Sequence, residues 1–144
     1  MIEKDTVRLL CECDAGIKMG VDSINDVLDY VGDGELRRLL EECAEGHEKL
    51  GDELRILLER YGDEGKDPNP IAKGMSWMKT EIMLKLHESD ETVADLMTDG
   101  CNMGVKSLSK YLNKYKAADE KSKDIAKRLI SLEERLAVDI RKYL

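Results

Sequence analysis

The chain has no phenylalanine, one tryptophan and two prolines in 144 residues, and aromatics make up only 4% of it. Strands draw on aromatic and β-branched side chains, so this scarcity argues against an all-β fold. No stretch reaches the roughly 20 uninterrupted apolar residues that a membrane-spanning helix needs. Glu3, Lys4 and Asp5 precede no long apolar stretch, so no secretory signal is expected. Positive charge is short as well: 23 basic residues face 31 acidic ones, a net charge of −8. That disfavours nucleic acid or an anionic membrane as a partner, since both attract basic surfaces. The four cysteines, Cys11, Cys13, Cys43 and Cys101, contain no Cys-x-x-Cys pair. Reduced thiols in the cytoplasm are therefore expected rather than a disulfide framework. Phosphate loops and nucleophile elbows are missing too.

Helical periodicity is abundant. From Ile2 to Val31 the residues Thr6, Leu10, Cys13, Ile17, Gly20, Ile24, Val27 and Val31 recur in steps of four and three. This is the seam of a helix packed in a bundle. Gly32, Asp33 and Gly34 break it, with Gly32 expected as the C-terminal cap. A second seam, Leu36, Leu40, Cys43, His47, Leu50, Leu54, Leu57 and Tyr61, follows at once. So short a break predicts an antiparallel hairpin.

Residues Gly62–Pro70 read as an exposed loop, and Ile71–His87 as a short amphipathic helix carrying Trp77 and the methionines Met75, Met78 and Met83. A third long helix, from about Glu91 to Lys116, should be capped by Ser89 or Asp90 and bury Val93, Met97 and Leu108. Asp119 should cap a fourth, which buries Ile125, Leu129, Leu132, Leu136 and Ile140. The expected architecture is all-α: a single domain over residues 1–144, made of two antiparallel hairpins joined by a crossover with a short helix. This is the layout of a ferritin-like four-helix bundle.

Several short stretches resemble one bacterial branch of the ferritin-like superfamily, catalogued as a domain of unknown function. They are Cys13–Gly16, Asp33–Leu36, His47–Leu54, Tyr61–Asp63, Gly74–Trp77 and Tyr111–Leu112. The resemblance implies a small cytoplasmic, stress-associated protein with no established reaction.

Ferritin-like oxidases hold two metals with a Glu from each of two helices and a Glu-x-x-His pair from each of the others. Here His47 lies on the second seam, but Ala44 stands three residues before it. Counting from the Gly32–Gly34 turn, the facing position on the first helix is Gly20, and on the third it falls near Gly104. The fourth helix has Glu133 and Glu134, followed at the required spacing by Leu136 and Ala137. The ligand set is incomplete, so oxidase or ferroxidase activity is disfavoured and a non-enzymatic protein without cofactor is expected. The alternative is a zinc or iron ion, or a small ligand, held by His47, Cys43 and Cys101, with water or Glu133 as a fourth ligand.

Gly20, Gly100 and Gly104 invite two explanations, close helix contact or a small cavity beside His47. Cys11, next to its seam, is expected to be the reactive thiol, and Asp14 a solvated or paired carboxylate. An exposed bundle face favours a homodimer.

Overall fold

Helix α1, Ile2–Leu28, buries every apolar residue of its predicted seam within it, and Thr6 besides. The computed structural model describes residues 2–68, 83–84 and 88–144. Among these, helix α2 spans Gly34–Arg60, α3 Asp90–Lys114 and α4 Glu120–Asp139, followed by a single 3-10 turn, Arg141–Tyr143. No strand occurs among the described residues, and the fold is an all-α four-helix bundle. None of these helices is long and apolar enough to cross a membrane. The predicted crossover helix, with Trp77, Met75, Met78 and His87, lies outside the described residues apart from Met83 and Leu84, both helical.

The second seam holds from Leu36 to Leu54 and then drifts. Leu58 is buried, whereas Leu57 is half-buried and Tyr61 exposed. A straight helix turns every 3.6 residues, so a seven-residue repeat slips by about 20° per heptad. Three heptads are enough to move the core position by one residue.

The α1–α2 turn is built from a distance. Helix α1 stops at Leu28, and Gly32 does not serve as its left-handed cap, since among the described residues the positive-φ glycines are Gly62 and Gly65. Instead the Gly32 and Asp33 amides donate to the Asp90 carboxylate at 2.8 and 3.1 Å. Asp33 in turn caps α2 by accepting from the Glu35 and Leu36 amides at 3.1 and 3.0 Å. Tyr143 also donates to Asp33, tying the chain's last turn to the same place.

Those bonds fix the topology. The start of α3 meets the turn where α1 ends, and at the other end Asp119 N donates to the buried Thr6 hydroxyl at 2.8 Å. So α3 runs parallel to α2, and α4 returns parallel to α1. Helix α1 packs on α2, α3 and α4, and α2 packs on α4. Ser89 and Asp119 cap α3 and α4 through the Thr92 and Ser122 amides.

The start of the crossover is fastened to α1 around Asp14. This carboxylate is only 6% exposed. It accepts from the Lys66 amide at 3.0 Å and pairs with Lys18 at 2.9 Å. Gly65 passes over it at φ +90°, so close that a Cβ would overlap the Asp14 carboxylate. Gly65→Ala is therefore expected to cost about 2–3 kcal/mol, from left-handed strain plus a displaced buried hydrogen bond. Gly62 has φ +65° and a Cβ on it would meet nothing within 4 Å, so Gly62→Ala should cost only the strain, about 1 kcal/mol. Urea unfolding of both variants checks this, and equal costs would refute the close approach to Asp14.

Candidate functional site in the bundle core

The apolar core falls into two clusters. One contains Leu10, Ile17, Leu50, Leu54, Leu108 and Leu129; the other contains Ile24, Leu40, Cys43, Met97, Cys101 and Leu136. The residues between them on the four seams are Gly20, His47, Gly104 and, beside Leu132, Glu133. The polar layer that counting from the turn placed at one height does converge in space.

His47 is 1% exposed and both its ring nitrogens are engaged. Nδ1 lies 2.7 Å from the carbonyl oxygen of Cys43, one turn back on α2. A carbonyl only accepts, so Nδ1 carries a proton. Nε2 lies 2.8 Å from Glu133 Oε1, whose side chain is 12% exposed. With that carboxylate ionised, Nε2 also carries a proton and the ring is an imidazolium in a buried ion pair. Burial works against that charge, but the Cys43 and Glu133 contacts outweigh it and push the His47 pKa from 6.5 up to about 10.

The glycines make room for this pair. A Cβ on Gly20 would sit 2.8 Å from both Cδ2 and Nε2 of His47, and one on Gly104 would sit 3.5 Å from the Glu133 carboxyl carbon. The space over Gly20 and Gly104 is thus filled by the ring and the carboxylate, so neither of the two explanations weighed for these glycines, close backbone contact or an open cavity, describes them. Gly100 does not belong to the layer: it is exposed, and a Cβ on it would meet nothing within 4 Å. Cys101 holds the seam position, and one residue earlier on a helix is rotated by about 100°. A further glycine, Gly46, lies under Leu132, where a Cβ would sit 2.9 Å from Leu132 Cδ2.

The three residues singled out as metal ligands surround the layer on different sides. Cys43 Sγ lies 3.6 Å from His47 Nδ1. Burial, together with the Glu133 carboxylate on the Nε2 side, pushes the Cys101 thiol well up. The i, i+4 spacing of Cys43 and His47 therefore delivers the sulfur to one nitrogen while Glu133 occupies the other. As arranged here, no group of three or more His, Cys, Asp or Glu side chains among the described residues could hold a metal ion. The partnership of His47 with Glu133 was half-visible in sequence. Glu133 stands next to a seam position, and only the facing glycines signal that its carboxylate can turn inward.

Asp14 is paired, as expected, and also buried. Cys11 departs from its expected role. Its thiol donates to Asp63 at 3.4 Å, and burial with Asp63, Asp14 and Glu12 pushes it up to about 12. A thiol among carboxylates resists ionisation and reacts slowly. No protein-family model, curated protein or solved structure matches the chain, so a functional reading rests on the geometry of this layer.

Proposed function

We propose that the chain is a ferritin-like bundle whose metal layer has given way to the His47–Glu133 pair, and that it acts without catalysis as a structural, interaction or stress-associated protein. The observation that carries this reading is Gly20, whose missing side chain is what admits the His47 ring. An oxidase would need a carboxylate at that height on the first helix. Glycine at the same height on α3 leaves that helix without one too, and both nitrogens of the lone layer histidine are hydrogen-bonded. The parallel direction of α2 and α3 supports the ferritin-like part of the reading, because it requires the long crossover of that architecture. The same reading makes the protein a cytoplasmic homodimer whose net charge of −8 keeps it from nucleic acid.

Elemental analysis and an optical spectrum of aerobically purified protein test it. The expected result is substoichiometric metal and no oxo-bridge absorption. Stoichiometric iron with that absorption would overturn the reading. Stoichiometric zinc, lost on Cys101→Ser, would favour instead the alternative of a soft-metal site at His47, Cys43 and Cys101.

A further inference from the structure

Exposure alone ranks Cys11 first among the four thiols, because it is half-buried while Cys13, Cys43 and Cys101 are buried. Local charge weighs against Cys11 all the same. Cys11 faces Asp63, and Cys13 is held up at about 12 by burial beside Glu12 and Asp14. Burial and the nearby Glu133 carboxylate hold the Cys101 thiol up. Each of these thiols has acidic neighbours that oppose formation of the reactive thiolate.

Cys43 has different neighbours. Its sulfur lies 3.6 Å from Nδ1 of His47, whose Nε2 lies 2.8 Å from Glu133. A thiol beside an imidazole that a carboxylate orients is a grouping that activates nucleophiles. The ring proton on Nδ1 is held by the Cys43 carbonyl, so His47 presents positive charge to the sulfur rather than taking its proton.

Cys43 also has a way out. It lines a groove of about 830 Å³ between α2 and α4. At 7% exposure it is the most open of the buried thiols, against 0% for Cys13 and 1% for Cys101. The walls mix Arg38, Glu42, Arg135 and Asp139 with Leu132 and Leu136, so they select for neither sign of charge. A small neutral oxidant fits such an entrance.

We propose that Cys43 is a redox modification site, at which hydrogen peroxide entering the α2–α4 groove converts the thiol to a sulfenic acid. The sulfur attacks one peroxide oxygen, forming an S–O bond as the O–O bond breaks. The departing oxygen takes the thiol proton and leaves as water. The sulfur gives up an electron pair and the peroxide receives it, so no further reductant or oxidant enters. His47 and Glu133 are positioning residues in this step, holding positive charge beside the sulfur.

The test treats the reduced, folded full chain with hydrogen peroxide and dimedone at neutral pH and maps the label by peptide mass spectrometry. Label is expected on Cys43 before any other cysteine, to vanish in Cys43→Ser and to persist in Cys11→Ser. Glu133→Gln keeps a hydrogen-bond acceptor but removes the charge that holds the imidazolium, and should slow labelling about tenfold. Earlier label on Cys11, no labelled cysteine in the folded chain, or an unchanged rate in a folded Glu133→Gln protein would each overturn the proposal. The wild-type map needs no variant to fold, and its readout is separate from the metal content that tests the proposed function.

Discussion

Glu133→Ala is expected to lower the unfolding free energy by about 3–5 kcal/mol, the loss typical when one partner of a buried pair is removed. The substitution leaves His47 Nε2 without its acceptor at a site 1% exposed, where water cannot take over the hydrogen bond. The paired change His47→Leu with Glu133→Leu should behave differently. Burying an ion pair costs its hydration, and apolar replacements of similar volume are often neutral or stabilising. Urea unfolding of the wild type, each single variant and the double variant measures the coupling. A Glu133→Ala cost below about 1 kcal/mol would mean that the pair is not formed in the folded state. A double variant as unstable as Glu133→Ala would mean that the layer serves packing shape rather than charge.

This asymmetry also explains which parts of the molecule were legible in sequence. The seams were legible because burial repeats along a helix, and Thr6, Cys13 and His47 kept the repeat although each could have been polar surface. The height of the layer was legible because hairpin helices of equal rise can be counted from their shared turn. Features created by residues far apart in the chain were not legible. Gly32 reads as a cap until Asp90, 58 residues later, takes its amide. Cys11 reads as a reactive thiol until Asp63, 52 residues away, folds over it. Spacing put Cys43 and His47 on one face, but it could not say that Nδ1 would meet the Cys43 carbonyl and leave Nε2 for Glu133.

The second large effect is expected on raising pH. The His47 pKa stands at about 10 in the folded chain against 6.5 ordinarily. The folded state therefore holds this proton more tightly than the unfolded one, and unfolding releases it wherever pH lies between these values. The corresponding stability is complete below about 6.5, falls as pH rises, and is gone above about 10. The loss should be on the order of a few kcal/mol, since each tenfold gain in proton affinity is worth about 1.4 kcal/mol. Cys11 and Cys13, raised from 9.0 to about 12, act in the same direction but at higher pH. The two sources separate in the His47→Leu, Glu133→Leu protein, which should lose the decline that begins near neutrality and keep the decline above about 9. Urea midpoints measured between about pH 6 and about pH 11 would show it. A wild-type midpoint that stays flat up to about pH 9 would mean that His47 is buried as a neutral ring. Cys43 would then have no positive charge beside it.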